Sequence, residues 1–205
     1  MGTAVEDDVL IAAPAQPRPA SMPFNVLFLA RLEESKGVMT ALAVHQLLRA
    51  RGRSVELTIA GDGSAAAAVR QHIKEAAIDG VRLVGYVRGA AKIAALRAAD
   101  VYLFPTEYGE GLPISILEAM AMQLPVVTRP VGGIADFFVD GEMGFVSESL
   151  DPTVFADSVE RLMDDERLRE WIGVQNRAVV RNHFTGGCVA ANLQVIYHIT
   201  ERVQV

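Results

Sequence analysis

Residues 101–127, VYLFPTEYGEGLPISILEAMAMQLPVV, decide the fold. Four apolar residues, VYLF (101–104), are closed by Pro105. A glycine-rich loop follows, then a run from Ile114 to Met122 with helical character, and then a second apolar strand, PVVT (125–128). Short, continuously apolar strands flanking a helix are what a parallel sheet covered on both faces requires, and the connection between two such strands is right-handed. Within this unit Glu110 stands in the loop between Gly109 and Gly111, and Glu118 stands inside the apolar helix, where a carboxylate has no packing role.

Outward from this unit the same alternation repeats. NVLFLA (25–30), VELTIA (55–60), VRLV (81–84) and GFV (144–146) read as further buried strands, with helical runs over Val38–Ala50, Ala65–Ala77 and Ala90–Ala98 between them. The pattern predicts an α/β fold, a Rossmann-like doubly wound parallel sheet of about six strands. A helical tail follows: Pro152–Met163, Glu166–Arg181 and Gly187–Val203 read as consecutive helices, with Leu168, Trp171 and Ile172 on the packed side of the second. Residues 1–23 include APAQPRPASMP (13–23), whose prolines favour extended backbone, so this segment reads as a linker or disordered lead-in. The expected organisation is a lead-in over 1–23, a Rossmann-like domain over 24–183 and a C-terminal helix over 184–205.

The composition narrows the function. Of the 205 residues, 51% are hydrophobic and 21% charged, enough for a substantial core. A net charge of −6 argues against a nucleic-acid surface, which needs a basic stripe. Cys188 is the only cysteine, so there is no internal disulfide and no zinc constellation; His45, His72, His183 and His198 are scattered without ligand spacing. No apolar run approaches the roughly 18 residues of a membrane span, and Glu6, Asp7 and Asp8 stand where a signal peptide would be basic. The expected location is cytoplasmic, with peripheral contact at the inner membrane face left open.

Open α/β sheets bind ligands beyond the C-terminal ends of their strands. After NVLFLA comes ARLEESKGV, in which Arg31 and Lys36 bracket a loop that opens a helix: two cations beside free helix amides make a diphosphate clamp. The plainer reading is solvated charge beside Glu33 and Glu34. After VELTIA comes AGDGS (60–64), where Asp62 or Ser64 can cap the next helix. The stretch lacks G-x-G-x-x-G spacing, and no acidic residue ends VRLV, which disfavours a nicotinamide dinucleotide site. The third loop is that of Gly109–Pro113, where Glu110 and Glu118 flank a helix N-terminus. Carboxylates beside an anion site cannot hold the phosphate; they accept from hydroxyls, and a nucleotide sugar carries hydroxyls on both sides of its diphosphate.

Taken in order, ARLEESKGV, IAGDGS, VRLVGYV, FPTEYGEGLPISILEAMAMQLPVV and GGIADFFVDGEMGFV resemble the C-terminal domain of retaining glycosyltransferases of the GT-B fold, family 4. The likeness covers about Phe24–Val146, and the E-x7-E pair Glu110 and Glu118 is its most specific part. The resemblance implies that Arg31 and Lys36 hold the donor diphosphate and that Glu110 lies near the donor sugar. It assigns Glu118 to the ribose hydroxyls, the backbone of Gly109, Gly111, Leu112 and Ile114 to phosphates and sugar, and Gly85–Tyr86–Val87 to the nucleobase. The donor would be a UDP-, GDP- or ADP-sugar, with no metal or other cofactor. The partners would be that donor, an N-terminal acceptor-binding domain not contained in this chain, and an acceptor that can be peripheral to a membrane.

Three positions depart from the family pattern. Ala30 precedes the motif Arg in place of Gly, Gln123 follows AMAM where Gly would end the helix, and Asp136 replaces Glu after GG. A non-Gly residue at the helix end costs about 1 kcal/mol if φ is positive. A non-catalytic nucleotide-binding or assembly module, and a Rossmann-like NAD-dependent oxidoreductase, are the rival readings.

Overall fold

The computed structural model describes residues 5–14, 22–109, 111–188 and 190. Six parallel strands form one sheet: β1 (Phe24–Leu29), β2 (Val55–Ala60), β3 (Val81–Gly85), β4 (Val101–Phe104), β5 (Val126–Thr128) and β6 (Gly144–Val146), in the order β3-β2-β1-β4-β5-β6. Thus the chain winds outward from β1 in one direction and from β4 in the other, which is the doubly wound α/β arrangement. β1, β2, β4 and β5 are buried nearly throughout, as their unbroken apolar runs require. β3 departs from the expectation of a strand buried on both faces: its residues alternate between half-buried and exposed because it is an edge strand with one neighbour.

The helices are α1 (Asp7–Ile11), α2 (Val38–Ala50), α3 (Ala66–Glu75), α4 (Gly89–Arg97), α5 (Ile114–Ala121), α6 (Pro152–Asp164) and α7 (Glu166–His183). In α2, Val38, Ala41, Leu42, Val44, His45 and Leu48 are buried, the three-and-four spacing of a core-facing stripe. α6 and α7 start at aspartate caps: Asp151 accepts from the Thr153 amide and Asp165 from the Leu168 amide. α7 packs on α5 and α6. Its Ile172 is buried and Leu168 half-buried, but Trp171 remains 46% exposed, so the expected packed side of this helix excludes the tryptophan. The helix expected over 184–205 lies mostly outside the described residues.

Residues 5–14 differ from the linker expected over 1–23. Val5 and Val9 are buried one helical turn apart, and α1 packs on α5. The Val5 amide donates to the Phe184 carbonyl at 3.0 Å, and Arg177 of α7 donates to the carbonyls of Leu10 and Ala12. Prolines dominate only the later part of that segment, and the apolar spacing of VEDDVLI wins over it. α3 also begins without the expected cap, since Asp62 accepts from the adjacent Gly63 amide and Ala65 occupies the N-cap. Gln123, just past α5, does adopt a positive φ of 64°, the backbone that favours glycine.

His45 is fully buried, and neither ring nitrogen makes a hydrogen bond. Burial lowers its pKa below the ordinary 6.5; the nearby Val55 backbone opposes this without forming an aligned bond, Arg49 adds to it, and Glu56 opposes it. A depressed folded-state pKa means that the unfolded chain takes up the proton first, so stability is full above about pH 6.5 and falls as the pH drops toward the folded value. Thermal melts should therefore show a declining limb between about pH 7 and pH 5 that His45→Phe flattens. An unchanged limb in the variant would assign it to other groups.

Candidate functional site

The strand order reverses between β1 and β4, so the loops that leave these two strands diverge and open a crevice. They are Ala30–Gly37 and Pro105–Pro113. The Ser35 carbonyl ties them together, accepting from the amides of Glu107 (2.8 Å) and Tyr108 (3.1 Å) and from the Thr106 hydroxyl (3.2 Å). At the floor, the buried Tyr102 hydroxyl donates to the Leu29 carbonyl (2.7 Å) and lies 2.8 Å from the Ser115 hydroxyl, which joins the end of β1 to the start of α5.

Lys36 is buried at this junction, 5% exposed, with its ammonium 4.1 Å from the centre of the Tyr108 ring. Arg31, its expected partner, is placed differently: its side chain is 68% exposed and bonds the Glu33 carboxylate at 2.8 Å. The two cations of the loop therefore divide into one fixed inside and one at the rim, and only Lys36 has the desolvated setting in which a charge–phosphate contact is strong.

α5 begins behind Pro113, which takes the N-cap with φ −72° and supplies no side-chain cap. The amides of Leu112, Ile114 and Ser115 make no hydrogen bond to another described residue, so they are available to an anion at the positive end of the helix dipole. Ile114 is 47% exposed beside them, and the side-chain positions of Gly109 and Gly111 face open space, although the Gly111 carbonyl lies so close to Gly133 that a Cβ on Gly133 would meet it at 2.0 Å. Glu110 lies outside the described residues.

Glu118 is on the second turn of α5 and 3% exposed. Its Oε1 accepts from the Lys92 ammonium of α4 at 2.5 Å, and Lys92 also reaches Glu6 at 3.2 Å. Burial pushes the Glu118 carboxyl up, Lys92 opposes this, and Glu6 and Asp8 add to it. For Lys92, burial favours the neutral amine, but the hydrogen bonds and charges of Glu118 and Glu6 outweigh it and raise the pKa. The charge on this carboxylate thus depends on one lysine. Sequence reasoning missed Lys92 and Glu6; the available signal was Lys92 itself, the only charge inside the first two turns of GAAKIAALR, on the helix that must neighbour α5.

The segment assigned to the nucleobase leaves the end of β3, the edge strand two places from β1. Gly85 ends β3 with φ 72°, Tyr86 is 75% exposed and Val87 is half-buried. Among the described residues, no group of three or more His, Cys, Asp or Glu could hold a metal ion, and no helix is long and apolar enough to cross a membrane.

The family model described as glycosyl transferases group 1 matches residues 12–179. A D-inositol 3-phosphate glycosyltransferase of Corynebacterium diphtheriae is 32% identical over 177 residues, covering 83% of this chain and 41% of that protein. The chain thus spans under half the length of this curated relative. Among solved structures, the C-terminal domain of a glycosyl transferase group 1 family protein (LpcC) from Francisella tularensis superposes with a TM-score of 0.73 at 21% identity, covering 87% of this chain and 98% of that one. Anabaena HepE, solved in complex with UDP, gives 0.76 at 20% identity over 89% of this chain and 50% of that one.

Proposed function

The chain belongs to the glycosyl transferases group 1 family, and from that premise we propose that it is the donor-binding half of a retaining glycosyltransferase, moving a sugar from a nucleoside-diphosphate sugar to a glycan, lipid or small-molecule acceptor. The observation that carries the reading is the crevice between β1 and β4: the buried Lys36 lies on the loop after β1, and the loop after β4 leads into α5, whose first amides bond no other described residue and whose second turn carries the buried Glu118. Cation and amides suit a diphosphate; the carboxylate suits sugar hydroxyls. The length match to an isolated C-terminal domain supports a half-enzyme, and the UDP held by HepE supports a nucleoside diphosphate as the donor's leaving group.

In this reading, departure of the nucleoside diphosphate develops negative charge on the phosphates, and Lys36, Arg31 and the amides of Leu112 and Ile114 stabilise it without a divalent metal. Arg31 contributes only after exchanging Glu33 for phosphate. Glu110 serves the donor sugar, and the leaving phosphate accepts the acceptor's proton on the same face, which retains configuration. Transfer requires the acceptor-binding half, because the reacting groups are otherwise not held together. A cytoplasmic location and an acceptor presented at a membrane surface belong to the same proposal.

Calorimetry and thermal shift with UDP, GDP, ADP, their sugars and NAD, each with and without magnesium, test it. A selective, magnesium-independent response is expected, with roughly 2.7 kcal/mol of stabilisation at about 100 times the dissociation constant. Binding of NAD alone would replace the reading with an oxidoreductase; silence toward every nucleotide would favour a non-catalytic assembly module.

A further inference from the structure

We propose that Lys92 is a positioning residue of nucleotide recognition: it holds one oxygen of the buried Glu118 carboxylate, so that the other stays charged and aimed at the hydroxyls of a ribose. The inference rests on the donor-site reading above. Its geometry is independent of that reading. The Lys92 ammonium, on a side chain 13% exposed, bonds Oε1 of a carboxylate on a side chain 4% exposed, across the α4–α5 contact. Oε2 makes no hydrogen bond among the described residues. One oxygen is therefore fixed and the other is left to accept.

A carboxylate this buried loses its charge unless a cation compensates, and a neutral carboxyl is a much weaker acceptor for a sugar hydroxyl. The charged groups that face Glu118 are Lys92 from α4 and Glu6 and Asp8 from the segment around α1; on the α7 side, Arg177 is engaged with the carbonyls of Ala121, Leu10 and Ala12. Among the described residues Lys92 is thus the one cation in contact with the carboxylate, and both acids work against ionisation. Lys92 stands on α4, the helix that follows Gly85–Tyr86–Val87 in the chain, and acts through the Glu118 carboxylate that it holds.

The test is affinity for UDP, GDP and ADP and for their 2′- and 3′-deoxy counterparts, from about pH 5.5 to pH 8, in the wild type, Lys92→Met and Glu118→Gln. Wild type should prefer ribonucleotides by about tenfold or more, the size of one hydrogen bond to a charged group, with little pH dependence. Glu118→Gln should lose the preference at every pH. Lys92→Met should lose it at the acid end and regain part of it as the pH rises and the uncompensated carboxyl ionises, a profile that a merely structural lysine would not produce. Lys92→Gln, neutral but still a donor, takes its place if the methionine variant does not fold. A ribose preference retained by the neutral variants at every pH overturns the inference and leaves the donor site standing. No response of the wild type to any nucleotide overturns both.

Discussion

Lys36→Ala should weaken binding of a nucleoside diphosphate by about a hundredfold while leaving the nucleoside without phosphates almost unaffected, a loss of 2–3 kcal/mol carried by one charged contact. The size follows from placement. Lys36 lies beneath the surface, between the two loops that diverge at the reversal of strand order, with its ammonium against the face of Tyr108. A charge already withdrawn from water has little further hydration to lose when phosphate arrives. Arg31→Ala should cost less, because the guanidinium is mostly in water and must first leave Glu33. Titrating both variants with the diphosphate and with the nucleoside separates the roles. Equal losses for the two ligands in Lys36→Ala would assign the residue to packing instead of phosphate.

The division between Lys36 and Arg31 also marks how far the sequence could be read. Strand and helix positions were legible because burial on both faces leaves an unbroken apolar run: α2 spans the expected Val38–Ala50, and β1 runs from Phe24 to Leu29 where 25–30 was expected. The crevice was legible too, since it follows from topology alone. What the sequence did not carry was contact between elements distant along the chain. Lys36 and Arg31 are alike in a string of letters, and contacts such as that with Tyr108 from the loop after β4 belong to one of them alone. Lys92 is paired across 26 residues with Glu118, and Glu6 reaches it from 86 residues away. α1 was hidden because the nearby prolines dominate the composition, while the burial of Val5 and Val9 matters only once α5 is beside the segment.

Gly37→Ala should be severely damaging, with a stability loss of about 3–4 kcal/mol and loss of diphosphate binding with it. Two separate costs meet at this residue. Its φ of 81° is left-handed backbone, which a Cβ disfavours by roughly 1–2 kcal/mol. In addition, the new Cβ would sit 2.3 Å from the carbonyl oxygen of Pro105 and 2.7 Å from its carbon, and neither backbone atom can swing aside as a side chain would. The loops must part, which breaks the bonds by which Thr106, Glu107 and Tyr108 hold the Ser35 carbonyl and moves Tyr108 from Lys36. Gly52 supplies the internal control. Its φ is 78°, nearly the same backbone, yet nothing lies within 4 Å of its Cβ position, so Gly52→Ala should cost the strain alone, about 1 kcal/mol. Urea unfolding of both variants isolates the close approach as their difference. Equal losses would mean that the two loops give way freely, and a crevice whose walls yield so readily could not hold Lys36 in place for phosphate.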